Sequence, residues 1–399
     1  MTSATLQAHL AVIGAGPAGL ALALLAARRL PGLRITVFDA RALDRDLSAD
    51  ARTLALSLGS VQMLERLGVW PAAAAQPITE VHVSQAVPAL LPLPGGAPQL
   101  RIRAADEGVP LLGAVLPYGA LVAPLQQAWL RRCADQPLRC QARFGTAVSA
   151  LKPVDTGVEV DAGIAETFDL AVVAEGGVFG AQSRKALSHD YRQRAWVGAV
   201  TLDGGTTGLA VERFTANGPL ALLPLPVRSA GRHQAAMVWC VDADDDPVEP
   251  LGDAQRIAVL GTLLPEAAGR IAAISPLERF DLGLNAELRL VNARTVRIGN
   301  AAQTLHPVGG QGLNLGLRDA YALVQALRDH GDVDAALRRV EWSRAPDRWS
   351  MIATTDFLAR SFAWRVPGLA SARAVGLAAL AALPPLRSLL ARHMMFGQR

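Results

Sequence analysis

The chain has 399 residues, about half of them hydrophobic and a fifth charged, with a formal net charge of +4. That length implies two domains or more, and that composition implies a large core, which excludes a disordered chain. The positive charge is almost wholly arginine, Lys152 and Lys185 being the only lysines, and no basic cluster is interleaved with aromatics, so nucleic acid is not an expected partner.

The N-terminus, MTSATLQAHLAVIGAG, has neither a basic region nor a cleavage signal, so its apolar run is not a secretory peptide. HLAVI, residues 9–13, predicts a strand, GAGPAG a tight turn and LALALLAARRL a helix. RITVFDA predicts a second strand, ending in Asp39. Gly14, Gly16 and Gly19 stand in GxGxxG spacing, with the acid twenty residues beyond the last glycine, which is the dinucleotide fingerprint. Gly14 makes the turn, Gly16 lets a pyrophosphate approach, and Gly19 packs helix on strand. The helix N-terminus stabilises phosphate charge, and Asp39 can accept from a ribose hydroxyl. A turn used only for packing would leave Asp39 unexplained.

Residues 51–70, ARTLALSLGSVQMLERLGVW, are helix-like and carry Arg52. Strands follow at ITEVHVSQ and QLRIRAADEG, then a helix near 121–133, then strands in VSALKPVDTGVEVDAG and FDLAVVAEGG. Cys133, Cys140 and Cys240 form no CxxC pair, which argues against a disulfide framework or a zinc site and for a reducing cytoplasm. QRAWVGAVTLD, GLAVERFT, GPLALLPLP and QAAMVWCVD make the middle of the chain strand-rich, as a separate sheet would be. TVRIG, residues 295–299, is a last short strand and runs into GNAAQTLHPVGGQGLNLGLRD. There Gly309, Gly310 and Gly312 precede an amphipathic helix, each giving up roughly 0.5–1 kcal/mol against alanine in regular structure. Either something approaches that backbone closely, or the turn is very tight.

From Phe357 the tail is apolar and carries Arg360, Arg365, Arg373, Arg387, Arg392 and Arg399 without an acid, and Pro384 and Pro385 break it into short helices. This pattern fits an interfacial membrane segment and equally a helical cover on the first domain. No uninterrupted run of about twenty apolar residues marks a transmembrane helix.

Taken in order, GAGPAG, ARTLALS, AVVAEGG and GNAAQTLHPVGGQGLNLGLRD resemble the single-component flavin monooxygenases of the p-hydroxybenzoate hydroxylase fold. ARTLALSLGSVQMLERLGVW, VERFTANGPLALLPLP and HPVGGQGLNLGLRD are similar to the ubiquinone-biosynthesis branch of that family. The family's third motif usually begins Gly-Asp and has His where this chain has Gln303. Asn300 with Gln303 resembles the form found in hydroxylases of 2-polyprenyl-6-methoxyphenol. The middle motif, usually Asp-Gly, is here Glu175-Gly176 followed by GVFGAQS.

The resemblance implies an α/β fold with a Rossmann-like FAD-binding domain of the glutathione-reductase type, an inserted β-sheet substrate domain and a C-terminal helical segment. The expected boundaries are 1–75, 106–185 and 276–335 for the first, 76–105 and 186–275 for the second, and 336–399 for the third. FAD is then held by Gly14, Gly16, Gly19, Asp39, Arg52, Glu175, Gly176, Asn300, Pro307, Gly309, Gly310, Gly312, Leu313 and Asn314. The helix from about Leu313 points its N-terminus at the flavin N1–C2 edge, where negative charge collects on reduction.

The implied cycle is reduction of FAD by NADPH or NADH, capture of O₂ as a C4a-hydroperoxide, and hydroxylation of a phenol. The implied partners are a polyprenyl phenol, the inner face of the cytoplasmic membrane and a quinone-synthesis complex; the expected location is cytoplasmic, and no metal is expected. A phenol must become phenolate-like to react, so a base or relay is required. His306 is the candidate beside the flavin, or else a structural histidine holding the loop before Pro307. Arg213 in VERF reaches the site from the sheet, or else pairs at the core edge. Ser57 has no His/Asp pattern and gives no support to covalent catalysis. A flavin-dependent prenyl reductase on the same fold and a non-enzymatic flavin-bearing scaffold remain as alternatives.

Overall fold

The computed structural model describes residues 6–48, 50, 52–86, 99–176, 183–229, 232–363 and 369–398. Its helices are α1 (Pro17–Arg29), α2 (Leu58–Leu67), α3 (Tyr118–Asp135), α4 (Asp253–Leu263), α5 (Gly312–His330), α6 (Val333–Ala363), α7 (Leu369–Ala382) and α8 (Pro384–Phe396).

The strand Ala8–Ile13 runs parallel between Leu33–Asp39 and Leu170–Val173. Cys140–Phe144 and Thr295–Arg297 extend the parallel sheet, and Val291–Asn292 closes one edge antiparallel. Leu10 and Val12 point into the helix-side core, whereas Ala11 and Ile13 point to the opposite face with Val158, Val160 and Phe168. A strand apolar on both faces is what a parallel sheet covered on both sides requires. The helix α1 is buried at every position from Ala18 to Ala27, because it lies between the sheet, α3 and α5. Its many alanines let those neighbours approach.

The second sheet has nine strands. Its centre is the long strand Leu187–Asp203, paired antiparallel with Arg232–Asp242, Arg270–Ile274 and Glu278–Ala286. Pro219–Ser229 and Leu209–Phe214 continue it antiparallel, and Leu209–Phe214 pairs parallel with Glu80–Gln85, which in turn pairs with Gln99–Arg103. One face packs on α4 through Leu209, Val211, Leu220, Leu222 and Leu260. The other face meets α6 and the C-terminal glycine loop through Tyr191, Ala195, Leu282, Ile352, Phe214 and Val308.

Three expectations about elements need correction. Residues 53–57 are a strand before α2, paired with Gly113–Pro117, where the helix-like pattern had been extended too early. Gln76–Ile78 pairs with Gly113–Pro117 while Ile78 packs on Ala210 of the second sheet, so the segment bridges the two rather than opening the second sheet. Glu278–Ala286 is a strand of the second sheet, so that sheet continues beyond the expected boundary at residue 276.

The tail forms a helical cover. Leu377, Leu380, Leu390, Ala391, Met395 and Phe396 pack with Leu58, Leu100, Ile102 and Leu112. Its end is tied down where the Gln398 N–H donates to Asp347 Oδ1 (2.9 Å), inside a cluster that pairs Asp347 with Arg318 and Arg344, and Arg344 with Asp319. Breaking one member of such a buried network typically costs about 3–5 kcal/mol. Among the described residues no single helix is long and apolar enough to cross a membrane; Ser371–Ala382 and Pro384–Phe396 pass that test only as a pair bent by 97°. Arg365 and Arg399 lie outside the described residues.

Candidate functional site

The three glycine motifs converge at the carboxyl ends of the parallel strands, where ligands of open α/β sheets bind. Gly14 has φ +104°, and a Cβ there would stand 2.6 Å from Glu175 N. Gly19 lies under Gly14 O so closely that a side chain would overlap it. A Cβ on Gly176 would stand 2.7 Å from Asn300 Cβ, and one on Gly316 would stand 2.8 Å from Gly299 Cα. The strand ends after Ile13, Val173 and Arg297 are thereby joined into one floor.

Over that floor two helix N-termini are left without a side-chain cap. At α1 the N-cap is Gly16, followed by Pro17; the nearest atom to a Cβ on Gly16 is Tyr118 Oη at 3.8 Å. At α5 the N-cap is Gln311 and the first turn carries no acid; nothing lies within 4 Å of a Cβ on Gly312. Each terminus presents amide groups and a positive dipole end. These two open cradles, one suited to a pyrophosphate and one to an electron-rich ring edge, fit the FAD that the motifs imply.

The remaining expected FAD residues divide into two groups. Arg52 is exposed, pairs with Asp50 at 2.7 Å, and stacks over the Tyr118 ring at 4.4 Å, which places it at the mouth of α1. Asn300 is exposed at the floor, and its carbonyl accepts from Lys185 Nζ at 2.8 Å. Burial and the nearby Asp39 carboxylate raise the Glu175 pKa. Pro307 opens the turn Val308–Gly310, in which Gly309 and Gly310 have φ +70° and +60°. A Cβ on Gly310 would stand 3.1 Å from Ala55 Cβ, and one on Gly309 3.3 Å from Met394 Cε of α8.

Leu313 packs against the main core. Asn314 faces inward: its Oδ1 accepts from Ser57 N (2.8 Å) and Ser60 Oγ (2.7 Å), and its Nδ2 donates to Ala55 O and Gly310 O. It therefore holds the glycine loop to the strand before α2. Ser57 Oγ lies 3.3 Å from Ser60 Oγ. Residues 177–182, most of GVFGAQS, lie outside the described residues.

Asp39 is more heavily engaged than its spacing implied. It accepts from Ala15 N (2.7 Å) and from Arg41 N, Nε and Nη2 (2.8–2.9 Å). A carboxylate offers about four acceptor sites, so a ribose hydroxyl would have to share or displace the Arg41 contacts. Arg41, two residues beyond the acid, was missed from sequence although its spacing made it visible.

His306 is buried and serves the loop. Its Nδ1 accepts from Val308 N–H at 3.3 Å, which leaves the proton on Nε2 to donate to Gln193 Oε1 at 3.0 Å. Burial pushes its pKa down to about 4, so the ring is neutral. Arg213 does not reach the glycine loop. Its Nε donates to Leu263 O (2.9 Å) on the α4 side, because side chains alternate faces along a strand. The expectation that Arg213 enters the site is corrected on that ground.

The same alternation brings Glu212 to the loop face with Phe214, beside the Gly309 amide. Reading VERF with period two puts Glu212 and Arg213 on opposite faces without saying which face meets the loop. Gln303 is buried, and its Oε1 accepts from Arg348 Nε at 2.6 Å; Arg348 also donates to the carbonyls of Glu287 and Leu288.

Comparison with known proteins agrees with this geometry. Residues 178–346 match the family described as FAD binding domain, and residues 12–54 the NAD(P)-binding Rossmann-like domain. Ubiquinone hydroxylase UbiL of Rhodospirillum rubrum is 30% identical, the alignment covering 98% of this chain and 90% of that protein. The 3-demethoxyubiquinol 3-hydroxylase of Escherichia coli is 27% identical over 93% of this chain and 94% of its own. Among solved structures, Klebsiella pneumoniae HpxO complexed with FAD and uric acid superposes with a TM-score of 0.69 at 18% identity, covering 98% of this chain and 96% of its own. PqsL of Pseudomonas aeruginosa, a probable FAD-dependent monooxygenase, gives 0.69 at 18% identity, covering 93% of this chain and 99% of its own. At such identities the structural likeness shows the fold.

Proposed function

The chain belongs to the FAD-dependent hydroxylases of ubiquinone biosynthesis, and on that premise we propose that it hydroxylates the phenolic ring of a polyprenylated ubiquinone precursor. It is an FAD-dependent monooxygenase with NAD(P)H as reductant. The reduced flavin supplies the oxygen-activating chemistry. The observation that carries the substrate reading is the uncapped N-terminus of α5, set beside a sheet face lined by Phe214 and Val83, against which Val308 of the glycine loop packs. A planar, apolar ring suits a site bounded by that face and the glycine loop.

In this reading the chain's own residues bind, orient and exclude water. Gly16 and the first turn of α1, with Arg52 alongside, hold the pyrophosphate. Asn300 accepts from the ribityl chain with its side-chain carbonyl, as an amide can. The Gly309–Gly312 backbone would line the flavin ring, and the uncapped N-terminus of α5 would offset the negative charge of its reduced form. His306 acts as a positioning residue, since both ring nitrogens are bonded to the protein.

Access from the membrane is part of the same proposal, because a polyprenyl chain resides there. The bend between α7 and α8 exposes Val375, Leu383, Leu386 and Leu389. Arg387 lies 3.8 Å from Asp106 and Arg392 3.9 Å from Glu107. The exposed leucines therefore carry more of the docking than was expected of the arginines. This surface is also where a quinone-synthesis complex would deliver substrate.

The deciding experiment supplies the FAD-loaded protein with NADPH or NADH and a short-chain 2-prenylphenol. Oxygen consumption with a product heavier by one oxygen is expected. Alkene reduction without oxygen consumption would replace the reading with a prenyl reductase. Failure of NAD(P)H to reduce bound flavin would replace it with a non-enzymatic scaffold.

A further inference from the structure

We propose that Glu212 is a catalytic residue of this site, a carboxyl that takes the proton of the substrate's phenolic hydroxyl from a fixed place on the sheet facing the glycine loop. The proposal rests on the phenol-hydroxylase reading above and names the proton acceptor that reading lacks.

The strand Leu209–Phe214 places Glu212 in register with Ala221 on one side and Val83 on the other. Both neighbours are apolar and neither can pair with a carboxyl. The Gly309 amide of the glycine loop lies close enough to the carboxyl to draw its pKa down against the effect of burial. Its Oε1 is shielded from solvent and has no hydrogen-bond partner among the described residues. A buried polar atom without a partner costs about 1–3 kcal/mol, and one beside a cofactor loop is explained if a ligand supplies the partner.

The surroundings are suited to proton transfer. Cys240 is a titratable neighbour, and burial together with Glu212 raises its thiol well above the ordinary range. From the glycine loop comes His306, neutral and bonded to Gln193 and Val308. Leu358 of α6 and Phe214 complete an apolar wall, and Met394 of α8 lies against Gly309. Arg213 is turned to the other face. With no cation among the groups that shift it, burial pushes the Glu212 pKa up to about 8. An ordinary carboxyl near 4.3 is about six units too weak to take a proton from a phenol near 10, whereas at about 8 the gap is about two.

The step balances within the pair. The phenol O–H bond breaks, a Glu212 O–H bond forms, and the electron pair stays on the phenoxide oxygen, which enriches the ring carbons that receive oxygen. When the product phenol re-forms, the same proton returns.

The test is Glu212→Gln in the full-length, FAD-loaded protein. Gln keeps the size and shape of the side chain but cannot accept the proton. The variant should fold and hold flavin as the native protein does, with kcat for the 2-prenylphenol lower by on the order of 100-fold and KM little changed. The rise of native kcat with pH through about 8 should vanish. Independently of activity, the native protein should show a carboxylic-acid C=O infrared band that disappears as pH rises through about 8 and is absent from the variant. A kcat within about threefold of native, an unchanged pH profile or a missing infrared band would overturn the proposal. So would a folded variant that loses flavin, since Glu212 would then be only a clamp on Gly309. If native protein turns over no phenol at all, the substrate reading fails first, and the infrared band still decides the state of Glu212.

Discussion

The two glycine-rich loops do related work by different physics. In the N-terminal turn the conformation is set by close backbone packing: Gly14 faces Glu175 N, Gly19 lies under Gly14 O, and a side chain at either collides with backbone. In the C-terminal loop Gly312 has nothing within 4 Å of a Cβ, and Gly309 and Gly310 approach only the side chains of Met394, Gln311 and Ala55. That loop is held from a distance, by Asn314 through Ala55, by His306 through Gln193, and by α8 through Met394. Crowding shapes the first, and long-range bonds shape the second.

The largest effect should come from treating the loops alike. Gly19→Val should cost more than about 4 kcal/mol, the range reserved for severe steric conflicts, and give little soluble protein. Gly312→Ala should change the thermal midpoint by no more than about 1 kcal/mol requires, because alanine suits a helix start. Gly16→Val tests the ligand half of the contrast: its side is open, so the protein should fold yet purify colourless. A normal flavin spectrum in that variant would remove the pyrophosphate from α1.

Next in size is a pH effect confined to the C-terminal loop. His306 has its pKa lowered from 6.5 to about 4, so the folded state refuses a proton that the unfolded chain accepts between those values. Stability is therefore fully present above about 6.5 and is lost as pH falls toward 4, by roughly 3 kcal/mol at about 1.4 kcal/mol per unit. Urea melts at pH 7 and pH 4.5 should show this loss, and His306→Asn should remove most of it. An unchanged pH dependence in the variant would mean that other groups dominate.

A smaller effect is expected on the floor beneath the two loops, at Asn300 beside Gly176. Asn300→Asp should retain FAD. Asn300→Leu should weaken it by about 1–3 kcal/mol, or about 5- to 150-fold. Flavin titration giving equal affinities for all three proteins would dismiss the ribityl contact.

The smallest effect concerns the cover that touches Gly309. Replacing Leu383, Leu386 and Leu389 together by serine should lower co-sedimentation with phospholipid vesicles several-fold and leave bound flavin unchanged. Salt should matter little, since Arg387 and Arg392 lie near Asp106 and Glu107. Binding that survives the triple change but vanishes at high salt would return the role to the arginines.

The strand–turn–helix of GAGPAG was legible because each glycine answers to atoms within its own unit or at the end of the next parallel strand. The family followed from motif order, and with it FAD and the two-sheet architecture. Other features depended on partners remote in sequence. The helix-like periodicity of ARTLALSLGSVQMLERLGVW carried over into residues 53–57, which are a strand only because Gly113–Pro117 lies alongside. Glu278–Ala286 joins the second sheet because Leu187–Asp203 offers it an edge.

By itself the sequence determined what its local spacing encodes: the dinucleotide turn, the alternation of strands and helices, and the glycine run before α5. Only the tertiary structure decided which way a residue faces when its neighbours in the chain are equally polar. Glu212 and Arg213 are adjacent, and period two permits either one to enter the site. The choice was made by α4 behind the sheet, whose Leu263 carbonyl takes the guanidinium and so leaves the carboxyl to the loop face beside Gly309. The tail was undecided in the same way. Its apolar, acid-free composition suits a membrane or a core equally, and the contacts of Met394 with Gly309 and of Gln398 with Asp347 bind it to the fold while leaving the leucines of the bend exposed.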